Sequence, residues 1–139
     1  MSENQPQNPE ARYINPEYIA KPFGYTHVVE VLRGRPVYIS GQVALDNQGN
    51  IVGSDDFEAQ AVQVFENLKT ALEAVGATFK EVVKINLYLL DMGQLPTLLE
   101  IRNRYINVAN PPASTAVEVT GLANPKFLLE IEAIALLPE

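Results

Sequence analysis

The sequence predicts an α+β fold of order β-β-α-β-α-β-β, with two helices on one face of a mixed sheet. Three observations carry this. Apolar residues recur at three- and four-residue steps between about Asp55 and Val75, and again between Leu95 and Ile106, which is the period of a helix. Short runs rich in β-branched residues flank both stretches, several of them alternating with the period of a strand. The chain has 139 residues, 47% of them apolar and 19% charged, which suits one self-supporting domain.

Residues 1–22 read as a polar tail, and residues 23–139 as the single domain. Pro6, Pro9, Pro16 and Pro22 forbid a continuous helix or a central strand there, while Tyr13 and Tyr18 give the tail a means of docking. Thr26 to Leu32 and Pro36 to Ser40 are two β runs, and the Arg-Gly-Arg between them predicts a hairpin. Asp46 to Asn50 is a run of turn formers. The first helix is expected from Asp55 to Val75, with Ser54 as N-cap, acids in its first turn and Gly76 as terminator. Val82 to Leu90 is a strand that sets Lys84, Asn86 and Tyr88 on one face and Val83, Ile85, Leu87 and Leu89 on the other. After the second helix, Asn110-Pro111-Pro112 breaks the chain, and Ser114–Thr120 and Phe127–Leu137 supply two more strands. Along the last of these Leu129, Ile131, Ala133 and Ala135 alternate with Glu130, Glu132, Ile134 and Leu136, so neither face is plainly polar. Such a sheet usually buries its second face against another subunit, and a homo-oligomer is expected.

Composition removes several chemistries. With no cysteine and one histidine, thiolate nucleophiles, disulfides and multi-histidine metal centres are excluded, and no metal or other cofactor is expected. A net charge of −7 and the lack of any basic run disfavour nucleic acid as the main ligand. No segment reaches the roughly 18 apolar residues of a membrane span, and Met1 to Ala11 has no apolar leader core, so a cytoplasmic protein is expected. The phosphate-loop, dinucleotide and serine-hydrolase glycine motifs are absent.

Four places remain for chemistry. His27 lies in a β run, where a structural or solvated role is the commoner one. Glu130 and Glu132 share a strand face that Glu118 on the neighbouring strand can approach; close carboxylates raise one pKa and make a general acid or base, although a solvated face reads the same way. Ser40-Gly41 is either a β-bulge or a place where a ligand meets backbone N–H groups. Arg102 falls on the apolar side of its helix, where a bare charge is costly.

Read together, Val37-Tyr38-Ile39-Ser40-Gly41-Gln42, the helix Gln60 to Gly76, the strand Val82 to Asp91, Pro112-Ala113-Ser114-Thr115-Ala116-Val117-Glu118-Val119 and Glu130-Ile131-Glu132-Ala133-Ile134-Ala135 resemble the reactive intermediate deaminase (Rid) family. Older labels for it are YjgF-type, perchloric-acid-soluble endoribonuclease and translation inhibitor. The likeness runs in order from about Gly24 to Leu137. It implies a chorismate-mutase-like protomer, a homotrimer with a central barrel, and a small-molecule ligand in each inter-subunit cleft. It also implies hydrolysis of enamines and imines to oxo compounds and ammonia, with no cofactor. On the matching positions Glu130 is the water-orienting carboxylate, Gly41 a backbone donor and Tyr25 a pocket wall.

The departure is at the arginine that grips the substrate carboxylate: the family's Pro-Ala-Arg-Ser is here Pro112-Ala113-Ser114. A hydroxyl supplies neither the charge nor the reach of a guanidinium, which predicts altered or weak activity. The family's Leu-Pro of the next loop is Leu122-Ala123, and an asparagine on its second helix aligns with Arg102. Arg102 then replaces the missing clamp, pairs with Glu130 or Glu132, or snorkels to solvent. The alternatives to a deaminase are a non-catalytic metabolite-binding or regulatory trimer and, less well supported, an endoribonuclease or translation inhibitor.

Overall fold

A computed structural model of the chain describes residues 10–139. Its elements are β1 (Ala11–Ile14), β2 (Val28–Val31), β3 (Arg35–Gln42), α1 (Phe57–Glu73), β4 (Val82–Leu89), α2 (Leu95–Arg102), β5 (Ala113–Glu118) and β6 (Leu129–Leu137). β3, β6, β4 and β5 form one mixed sheet in that order, in which only β4 and β5 run parallel. The α+β class and the mixed sheet are as expected, with one strand more than the predicted order.

The core lies between this sheet and the helices. Ala61, Val64, Phe65, Leu68 and Leu72 put one face of α1 against Leu129, Ile131, Ala133 and Ala135 of β6 and Ile85, Leu87 and Leu89 of β4. The helical period in α1 and the strand period in β4 and β6 thus meet in a single layer. α1 starts later than predicted: Asp55 takes a left-handed φ of 59°, so the helix cannot begin before it, and Asp56 rather than Ser54 caps by accepting from the Ala59 N–H at 3.1 Å. Gly76, with φ 74°, closes the other end, its N–H donating to Glu73 O while Ala77 donates to Leu72 O. α2 stops at Arg102 instead of reaching Ile106, because Arg104 and Tyr105 donate three residues back, to Ile101 and Arg102.

Near the N-terminus the structure adds a strand and lacks a predicted hairpin. Residues 1–9 of the predicted tail, with Pro6 and Pro9, lie outside the described residues. Within the remainder, Ala11–Ile14 form a strand that pairs antiparallel with β2. The predicted β2–β3 hairpin is not formed: β2 pairs with β1, and β3 with β6. The reason is local. Leu32 and Arg33 N–H groups donate to Glu10 O, and the Arg33 side chain pairs with Glu10 at 2.6 Å, which ties the segment between β2 and β3 to the chain before β1.

The β1–β2 ribbon then covers part of the sheet's second face. Ala11, Val83 and Leu136 are buried together, with Tyr13, Val29 and Ile134 packed against them. The covering predicted of another subunit is, at this end, supplied by the same chain. Further along, the face is polar, and it carries Tyr38, 75% exposed, and the exposed Val117. Among the described residues no helix is long and apolar enough to cross a membrane.

Candidate functional site

The five sequence-predicted site residues fall in two places. The first holds Gly41 and Glu130. Ile39 pairs with Ala133 and Gln42 with Ile131, so Ser40 and Gly41 together face Glu132 alone, a β-bulge. Gly41 has an ordinary φ; what requires glycine is proximity. A Cβ there would overlap Glu130 Oε2 and stand 2.7 Å from Cδ and 2.9 Å from Cγ. The carboxylate therefore lies directly over the bulged backbone. The β-bulge reading of Ser40-Gly41 holds, and the group over its backbone is the Glu130 side chain.

Glu130 is in register with Tyr88, and Glu132 with Asn86, on the face turned away from the helices. Glu132 accepts from Tyr88 Oη at 2.6 Å and from Asn86 Nδ2 at 3.0 Å. These hydrogen bonds, the phenol's first, hold the Glu132 carboxyl below its ordinary 4.5, and the same bond to Glu132 raises the Tyr88 phenol above 10.0. The expected carboxylate pair with one raised pKa is thus not what Glu132 provides: hydrogen bonding to the charged form outweighs its desolvation. Glu118 does not join it, because Glu118 pairs with Leu89 on the opposite face and accepts from the Met92 N–H at 2.8 Å. Tyr38, Ser40, Lys84, Asn86 and Glu132 line a cavity of about 260 Å³ on this face.

The second place is the segment Gly24–Thr26 and what it crosses. Thr26 is buried; its Oγ1 donates to Pro111 O at 2.6 Å and its N–H to Pro112 O at 3.2 Å. This pins Tyr25 beside the entrance to β5, where Tyr25 meets His27 edge-on at 5.2 Å. Gly24, with φ 80°, lies on Arg102: a Cβ there would come within 2.7 Å of Nη2. Arg102 is only 3% exposed, so it does not snorkel. Nor does it pair with Glu130 or Glu132, since among the described residues it makes no ion pair. Its Nε and Nη2 donate to Asn103 Oδ1 at 3.3 and 3.0 Å, and burial lowers its pKa. Ser114 follows two residues after Pro112, in register with Ile85, and so belongs to the helix-side face. His27 is structural: Nε2 donates to Ala20 O at 2.6 Å, and the backbone N–H to Asn15 Oδ1.

Within one chain, then, Ser114 and Glu130 sit on opposite faces of the sheet. Thr26, which pins the Tyr25 segment, and Asn86 and Tyr88, which hold Glu132 on the same strand as Glu130, are residues that sequence reasoning misses. The alternation that puts Asn86 and Tyr88 on one face is visible in the sequence; the Glu132 carboxylate they hold, on another strand, is not.

The Endoribonuclease L-PSP family model matches residues 18–137. A RutC family protein of Pyrococcus abyssi is 36% identical over 121 residues, 86% of this chain and 91% of that protein. The 2-iminobutanoate/2-iminopropanoate deaminase of Homo sapiens is 36% identical over 107 residues, 76% of each chain. Among solved structures, YyfB of Yersinia pestis, described as a Rid-family protein of unknown function, is similar with a TM-score of 0.79 at 38% identity, covering 92% of this chain and 99% of that one. With the match spanning all of the main sheet and both helices, the chain belongs to the Endoribonuclease L-PSP family, the YjgF-type or Rid proteins.

Proposed function

We propose that the protein is a hydrolytic deaminase of reactive imines and enamines, acting as a homotrimer and on substrates other than the small 2-imino acids named for its human relative. The observation that supports this best is the seat of the Glu130 carboxylate over the Gly41 backbone. In the proposed reaction Glu130 takes a proton from water as its oxygen adds to the imine carbon, and the C=N pair moves to nitrogen. The same carboxyl returns that proton to nitrogen to complete a carbinolamine, then takes the hydroxyl proton and passes it to nitrogen as the C–N bond breaks, so that ammonia leaves and a carbonyl remains. Backbone N–H groups at the bulge hold the polarised atoms, and the hydrolysis needs no cofactor.

Tyr25 is the wall, and Ser114 and Arg102 set substrate choice. Because Ser114 and Glu130 occupy opposite faces of one sheet, a pocket using both takes Gly41 and Glu130 from one copy and Tyr25, Arg102 and Ser114 from its neighbour. Exposed Tyr38 and Val117 on the open face favour such a neighbour.

A second reading rests on Arg102. With Gly24 over its guanidinium and Asn103 as its acceptor, it does not stand free to replace the missing clamp. Loss of a charge-assisted contact costs about 1.5–3 kcal/mol. On this reading the trimer binds a metabolite without turning it over, and ligand raises Tm without releasing ammonia. The nuclease reading gains nothing from a chain of net charge −7 whose one histidine is committed to Ala20.

The discriminating experiment follows ammonia release from imines generated in situ by an amino-acid oxidase, for wild type, Ser114→Arg and Arg102→Ala. The deaminase reading expects a catalysed rate from wild type on imines lacking a small carboxylate, and a rise of roughly tenfold on 2-imino acids in Ser114→Arg. A wild type silent on every imine, with turnover only in Ser114→Arg, establishes the binding reading. Loss of wild-type activity in Arg102→Ala at unchanged Tm makes Arg102 the clamp.

A further inference from the structure

The geometry points to a second ligand site, lined by none of the five residues above, for a small organic anion with an aromatic or branched apolar body. A cavity of about 510 Å³ opens between the C-terminal end of α1, the 3-10 turn Phe79–Glu81 and the loop after α2. That lies within the roughly 300–1,000 Å³ of small-molecule pockets. Its walls are apolar where the rings meet: Tyr105 stacks on Phe65 at 5.0 Å between centroids and lies tilted to Phe79 at 5.5 Å. Burial first, and then the hydrogen bond from its hydroxyl to Glu66 at 2.8 Å, raise the Tyr105 phenol to about 12, so the ring serves as surface and not as acid.

Around these rings stand Lys69, Lys80 and Arg104, with Glu73 the one acid in the lining. The whole chain has ten lysines and arginines and a net charge of −7, so three cations on one cavity reverse the local sign. Among the described residues none of the three is within ion-pair distance of a carboxylate. Exposed cations over an apolar floor attract an anion whose body fills the floor while its head meets the rim. One further donor is in reserve: Asn107, also in the lining, has a buried Nδ2 with no acceptor among the described residues.

The test is an NMR titration of the full chain with phenyl phosphate, benzoate and, as neutral control, benzyl alcohol. It is repeated on Lys69→Ala/Lys80→Ala/Arg104→Ala, three exposed positions whose truncation leaves the core intact, with Tm and ammonia release as checks that the fold and the other site are unchanged. The expected result is saturable amide shifts around Phe79 and Tyr105 with at least one anion, weakened by salt and by roughly tenfold or more in the triple variant. The tighter of the two anions assigns a phosphate or a carboxylate head. Absence of saturation, equal binding of benzyl alcohol, or binding unchanged in the triple variant overturns the proposal and leaves the cations only to offset the negative end of α1.

Discussion

Tyr88 is the residue through which the polar sheet face is set. Its hydroxyl, with Asn86 Nδ2, keeps Glu132 ionised and turned toward β4, which leaves Glu130 as the carboxylate at the bulge. A carboxyl depressed in the folded state stabilises fully above its unfolded pKa, and that contribution is lost as pH falls through the folded value. Tyr88→Phe is therefore expected to move the Glu132 titration up toward 4.5, seen by side-chain carboxyl NMR. The stability gap between wild type and variant, read from urea midpoints, should be constant at neutral pH and shrink below that value. A Glu132 titration unmoved by the substitution would contradict the assigned cause. At this scale sequence alone places Glu130 and Glu132 on one face but gives neither their partners nor the opposite placement of Glu118, since those depend on strand register. Gly41 and Glu130 become a pair only through family resemblance; no spacing rule joins β3 to β6.

At the scale of elements, Gln60 links α1 to the strand that carries Glu130. Fully buried in the first turns of the helix, its Nε2 donates to Gly53 O at 3.1 Å and Lys126 O at 2.9 Å, while Oε1 accepts from the Leu128 N–H at 2.9 Å. Gln60→Leu leaves Lys126 O and the Leu128 N–H without these partners, while Gly53 O keeps the Asp56 N–H, at a cost of about 3 kcal/mol, or roughly 10 °C in Tm for a domain of this size. A calorimetric Tm within about 2 °C of wild type would show that the chain re-satisfies them. α1 and β4 are legible in the sequence because each has a long, unbroken period facing one core. β1 is not: Ala-Arg-Tyr-Ile is too short to show a period, and the prolines around it suggest a tail. The hairpin fails for a different reason. Neighbouring strands usually pair, but the Arg33–Glu10 pair holds the linker to the N-terminal segment and sends β3 to the other sheet.

The whole molecule is a sheet with one face closed by helices and the other only partly closed by β1 and β2. The candidate residues divide along the same line, Gly41 and Glu130 on the open face, Tyr25, Arg102 and Ser114 around the start of β5. In the proposed function, assembly brings them to one ligand and Ser114 helps set which ligand that is. Fold and family were both readable from the order of motifs; the burial of Arg102 under Gly24 was not, because it depends on where the segment before β2 crosses α2. The most direct test of the proposed chemistry is ammonia release by wild type and Glu130→Gln over a panel of imines with and without a carboxylate, with Tm measured alongside. The account predicts catalysis by wild type on at least one imine and a loss of roughly 100-fold or more in Glu130→Gln at unchanged Tm; wild-type and variant rates equal to the uncatalysed hydrolysis for every imine would contradict it.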